Sequence, residues 1–262
     1  MSGRPSWPRW GSGLARRRLP GRLPLLLPLL LLTARPAPGA AEVADLGDLD
    51  ARIEYAYYAA DGRTLDSLVD EARSIAAGSH RWAGYALAHV EFRRAALSAE
   101  RGDAAAAEAA DRCLRAAAPV LAAEDRSVAA EGFNVAAACE GYRRAPSRRA
   151  IERSLARARA LTDEPPNPRT EYLAALLPGS AASPGAALTL AESAARAFAE
   201  PRALNPGQPG WGAPEAWFLV GERAAALGEW LKAREAYERC LVLAPDYRRA
   251  AVQMSRLKGD VP

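Results

Sequence analysis

The stretch WFLVGERAAALGEWLKAREAYERCLVLAPDY, residues 217–247, decides the fold. Trp217, Val220, Gly221 and Ala224 fall at 0, +3, +4 and +7, which is one face of a helix with 3.6 residues per turn. Gly228 marks a break. Trp230, Ala233, Tyr237 and Cys240 then mark a second helix face, and Pro245 ends it because proline lacks the donor that a helix interior needs. Small residues at 221, 224 and 233 let two helix backbones approach closely, while the aromatic rings at 217 and 237 fill the wider gaps beside them. The spacing predicts two antiparallel helices packed face to face.

The same grammar extends outward. The 262 residues are 50% hydrophobic but only 7% aromatic, and much of the apolar share is alanine. Alanine is the strongest helix former because it loses no side-chain entropy in a helix. No run of β-branched and aromatic residues alternates with period two, so the class is all-α. Apolar stripes at helical spacing predict helices over 46–60, over 64–77 with Thr64 as cap, and from about His80 to Glu100. An alanine-rich helix to Val120 and one over 124–142 follow, and Pro146 opens the next. DEPPNPR (163–169) cannot be helical because consecutive prolines clash with a preceding turn. Helices over 170–177 and 186–200 come next. PRALNPGQPGWGAP (201–214) is irregular, and a last helix runs from about Tyr247 to Leu257. The expectation is an α-solenoid of about five antiparallel helix pairs with a C-terminal capping helix, spanning 46–257 and followed by a short tail, 258–262.

Position by position, the pair at 214–247 resembles the tetratricopeptide repeat, W-x2-L-G-x2-Y followed by A-x3-F and a closing P. Trp217, Val220, Gly221, Ala233, Tyr237 and Pro245 stand at its matching places, with Ala224 where tyrosine is usual and Cys240 where alanine is usual. Elsewhere Gly102, Ala106, Ala110 and Cys113 echo the turn and second helix, whereas the preceding helix carries Arg94 where a small residue is expected. The resemblance covers about 35 residues well and some 200 loosely. It implies an exported bacterial protein with degenerate repeats that binds a protein or peptide along its concave face. On that mapping Glu222 and Arg223, lying between packing positions, face the partner. Trp211, set among glycines in NPGQPGWG, either contacts a partner or packs over the adjacent helix pair.

The charge is divided unevenly. Residues 1–41 hold seven arginines and no acid, so the formal +4 becomes about −3 for the remainder, with 28 basic against 31 acidic residues. The basic character belongs to the leader, and the body carries no argument for nucleic-acid binding. The order of basic residues, LPLLLPLLLLTA (23–34) and a small-residue zone ending at Ala41 reads as a secretory signal peptide over 1–41. An uncleaved membrane anchor and an organellar transit peptide are the alternatives. Export, to the periplasm first and otherwise to the exterior or a membrane anchor, makes Cys113, Cys139 and Cys240 worth attention. They read as small core residues, with a Cys113–Cys139 bridge open.

Reactive groups are sparse. His80 and His89, nine residues apart, would lie about 13 Å apart along one helix and, unless that helix is broken, cannot share a small metal site. No C-x-x-C motif and no phosphate loop occurs, so neither a metal nor a cofactor is expected. Acid pairs such as Glu222/Glu229 and Asp70/Glu71 read as solvated faces. The arginine run over 143–159 is either a salt-bridged outer face or a contact for anions. The reading is a non-catalytic binding scaffold in the cell envelope; a helical envelope hydrolase or transferase and a passive structural subunit are the alternatives.

Overall fold

The computed structural model describes residues 38–78, 80–177, 181–199 and 209–260. Most of the expected leader, the segment 201–208 and the last two residues of the tail fall outside these. The described residues form eleven helices and no strand. These are α1 (Pro38–Tyr58), α2 (Gly62–Ala76), α3 (Ala83–Glu100), α4 (Ala105–Leu121), α5 (Arg126–Glu140), α6 (Arg148–Leu161), α7 (Pro168–Leu176), α8 (Pro184–Ala197), α9 (Ala213–Ala226), α10 (Trp230–Leu243) and α11 (Arg248–Asp260). Each packs on its neighbour in sequence, giving five pairs and a terminal helix.

Odd-numbered and even-numbered helices differ in burial. Twelve of the fifteen residues of α5 are buried, against three of the fourteen in α6. Beyond their own partners, α1 packs on α3, α3 on α5 and α5 on α7. The odd helices therefore form an inner layer, covered on both sides, and the even helices an outer layer with one apolar stripe each. One hydrophobic core runs from Leu46 to Leu257.

The coil of pairs also closes on itself. The Tyr58 hydroxyl of α1 donates to Glu215 of α9 at 2.8 Å, and Arg249 of α11 reaches Glu100 of α3 at 2.9 Å. The rings of Tyr57 and Tyr58 lie 6.1 and 4.8 Å from that of Tyr247. The far end of the array thus packs against its beginning.

Local chemistry sets the breaks, sometimes at other residues than the sequence suggested. The cap of α2 is Asp61, which accepts from the Thr64 amide, and the helix begins two residues before Thr64. A carboxylate suits that place better than a hydroxyl because it accepts from free amides at the positive end of the helix. Likewise α6 opens after Pro146: Ser147 is its cap and Arg148 its first residue. The turn before α2 places Ala60 at φ +56°, a left-handed conformation normally left to glycine.

In the opening pair, Gly221 is required by contact: a Cβ there would overlap the Tyr237 ring. Gly228 is required by its turn, at φ +75°. Val220, Ala224, Ala233 and Cys240 are buried as the spacing demanded. Two aromatics depart from expectation. Trp230 is 43% exposed because it is the first residue of α10 and lies outside the seam. Trp217 is only half-buried, with the Arg239 guanidinium 4.6 Å above its ring. Pro245 is exposed and follows the end of α10, as a stop should.

Candidate functional site

The inner layer is held together by polar side chains that apolar periodicity alone does not announce. On α3, His89 and Arg93 are one turn apart; on α1, Asp50 and Glu54 are likewise one turn apart, so two matched rows face each other. His89 Nδ1 lies 3.0 Å from Asp50 Oδ1. Its Nε2 lies 2.8 Å from Glu54 Oε1, close but without hydrogen-bond alignment. Arg93 Nε donates to Glu54 at 2.6 Å, and Nη2 bridges to Glu215 at 2.5 Å. The guanidinium also covers the Tyr57 ring at 4.2 Å.

Electrostatics follow from that geometry. Burial alone would push the Glu54 carboxyl up, but Arg93 and His89 outweigh it and bring its pKa down to about 2. Burial works against a charged His89, yet Asp50 and Glu54 raise its pKa above the ordinary imidazole value. Opposite charges within 3 Å are what make these buried charges tolerable.

A second polar set joins α5, α7 and the loop before α9. Glu131 accepts from Asn167 at 2.7 Å and from Arg169 at 2.9 Å, and the Thr170 hydroxyl donates to Asn134 at 2.8 Å. Arg169 also donates to the Trp211 carbonyl at 2.9 Å and to the Pro209 carbonyl. Asp50 accepts from the Gly210 amide at 2.9 Å.

That anchoring corrects one expectation. Trp211 is fully buried, its indole N–H donating to the Tyr85 hydroxyl at 2.7 Å and its ring centroid 5.2 Å from that of Phe92. Of the two readings the packing one holds, because Arg169 and Asp50 pin the flanking backbone and carry the indole inward. It is not available to a partner. Glu222 is half-buried and accepts from Tyr237 at 2.6 Å, so it is engaged within its own pair. Arg223 is half-buried too, and its Nε is buried without a hydrogen-bond partner. The structure does not bring Trp211 together with these two on one surface.

The acid pairs are accounted for at the surface: Glu71 with Arg52, Asp70 with Arg73, and Glu229 with Lys232. Of the arginine run, Arg143, Arg148 and Arg159 are ion-paired. Arg149, Arg153 and Arg157 stand exposed in a row on α6, and no described acidic residue pairs with them.

What the inner layer leaves open is a hollow of about 380 Å³ between α3, α5, α7 and the start of α6. Phe92, Ala138, Tyr142, Ile151, Tyr172 and Leu176 line it. Tyr142 and Tyr172 are half-buried and Leu176 is 38% exposed. Burial pushes the Tyr142 phenol up to about 12, so it remains a neutral hydrogen-bonding group. Its walls are apolar and aromatic, a lining whose chemistry suits an apolar or aromatic group. A second hollow beside His89 is far smaller, about 10 Å³.

Sequence reasoning missed Arg93, Glu54 and Glu215 as the joint of the inner layer. A signal was present in the Arg93-Arg94 doublet within the apolar run YALAHVEFRRAALSA (85–99). Tyr142 and Tyr172 carried no pattern that separated a wall of the hollow from ordinary core.

Comparison of the chain with protein-family models, curated proteins and solved structures finds no match in any of the three. The fold itself, an all-α array of stacked helix pairs, is what the structure defines.

Proposed function

We propose that the protein is a non-catalytic scaffold of tetratricopeptide type that binds a protein or peptide, and that the hollow at Tyr142 and Tyr172 seats an apolar side chain of that partner. The observation that carries the reading is the hollow: apolar walls drawn from three inner helices, with Leu176 open to solvent at its edge. Stacked helix pairs commonly present such surfaces to extended or helical segments. Arg93, Trp211 and Tyr58 are buried and offer a partner no surface, which favours this opening as the contact. The Cys113–Cys139 disulfide suits an oxidising compartment and so supports service in the cell envelope, with the leader as the route of export.

The test is selection of a displayed peptide library on the full-length protein, followed by fluorescence anisotropy of the selected peptides. Binding is expected to fall at least tenfold in Leu176→Glu and to persist in Leu231→Glu, which alters an 84% exposed residue on α10. Failure to select a binder, or equal affinity for wild type and Leu176→Glu, overturns the proposal.

A further inference from the structure

A second hollow, of about 560 Å³, lies where α11 crosses the end of α3. Its charge is unbalanced. Arg101, Arg248, Arg249 and Arg256 line it, and its one acidic residue is Glu100. Glu100 is already engaged, accepting from Tyr57 at 2.7 Å and from Arg249 at 2.9 Å. The neighbouring hollow of about 470 Å³ shares Ala60, Leu97 and Arg101 but differs in kind. There four arginines meet three aspartates, and Arg94 is paired with Asp66 at 2.8 Å. The neighbouring hollow carries an excess of about one positive charge and this one an excess of about three.

Two of those arginines are held in place. Arg249 is fixed by Glu100 and by the Phe218 ring 4.6 Å beneath its guanidinium, while Arg101 donates to the Ala60 carbonyl. A guanidinium has five donors, so each keeps N–H groups to offer. Arg248 and Arg256 pair with no described acidic residue. They stand two turns apart, about 12 Å along α11, with Val252 between them on the same row and Leu97 opposite. Arg248 and Arg249 also occupy the first turn of their helix, where the backbone dipole disfavours cations. An arrangement that costs stability in the empty protein is repaid when an anion bridges the guanidiniums.

We infer that this hollow binds a small organic phosphate or diphosphate. Several guanidiniums reaching one space from two helices suit a multiply charged oxyanion, and the volume and the Leu97–Val252 wall leave room for a short carbon body. The inference is independent of the partner-binding hollow, which shares α3 with it but none of its lining residues.

The experiment is isothermal titration of the full-length protein with inorganic pyrophosphate and with a water-soluble short-chain phosphatidylglycerol. Saturable binding is expected, weakened at least tenfold in Arg248→Ala/Arg256→Ala and unchanged in Arg149→Ala/Arg153→Ala, which removes two exposed arginines from α6. Val252→Glu, at a 42% exposed position, is expected to abolish binding by placing a carboxylate in the wall, and keeps the test decisive should the double variant fold poorly. Tighter binding of the lipid assigns the phosphate to a headgroup; tighter binding of pyrophosphate assigns it to a soluble compound. Binding that does not saturate, or that weakens equally in the α6 variant, overturns the inference.

Discussion

Arg93 on α3 reaches Glu215 on α9, 122 positions further along the chain, with Nη2 2.5 Å from Oε1. The same guanidinium holds Glu54 on α1, so one side chain ties the first, second and fifth helix pairs together. Both acids are buried, and Glu215 also accepts from Tyr58 and from the Gly212 amide.

Removing that guanidinium strands two buried carboxylates. Arg93→Met is expected to cost about 3–5 kcal/mol, read as a lower midpoint in urea unfolding. Arg93→Met/Glu54→Gln/Glu215→Gln is expected to recover a large part of the loss, because the charges no longer need a partner. A single variant as stable as wild type would show that the cluster does not join the layers.

His89 gives the fold a pH dependence of definite sign. Its pKa is raised by Asp50 and Glu54, so its contribution is complete below the ordinary imidazole value of about 6.5 and is lost as pH rises through the folded-state value. Glu54 acts oppositely: its contribution is present above the ordinary carboxylate range and is lost as pH falls towards about 2. Melting temperature is therefore expected to be highest between about pH 5 and 6.5 and to decline towards pH 9. His89→Asn is expected to be less stable and to lose most of that alkaline decline.

The Cys113–Cys139 bridge joins α4 to α5 across 26 residues. Closing a loop of that length removes denatured-state entropy worth about 3–4 kcal/mol. Reduction, or Cys113→Ser/Cys139→Ser, is expected to lower the urea midpoint by a corresponding amount. Cys240 is buried and burial pushes its thiol pKa up, so it is expected to resist alkylation until the protein unfolds.

Gly221 and Tyr237 test the seam of the opening pair. Gly221→Ala places a methyl group into the Tyr237 ring and is expected to cost about 1–3 kcal/mol. Gly221→Ala/Tyr237→Leu, which makes room, is expected to lose less than the two single costs combined; strict additivity in a double-mutant cycle would disprove the contact.

These residues also show how far the sequence could be read. The seam was legible because Gly221, Ala233 and Tyr237 are spaced by the helical repeat, which is a local property. Asp61, Ser147 and Ala60 decided element boundaries through cap and turn geometry, and apolar stripes alone misplaced those by a few residues. The interior was not legible. Arg93 is an ordinary surface type in isolation, and what buries it together with Trp211 is the return of α9 and the loop before it onto α1 and α3. Glu215 for Arg93 and Tyr85 for Trp211 lie 122 and 126 positions away, where no periodicity points.

An open stack of helix pairs can be lengthened by duplicating a unit, since each new pair meets only its neighbours. This one is built more like a cask, with α1 and the turn leading into α11 as the staves that meet. An inserted pair would force Tyr58 away from Tyr247 and Arg93 away from Glu215, so the number of pairs is fixed by the joint rather than by the repeats. Size variation among descendants of such a protein is then confined to its loops and ends, and a lost pair is as disruptive as a gained one.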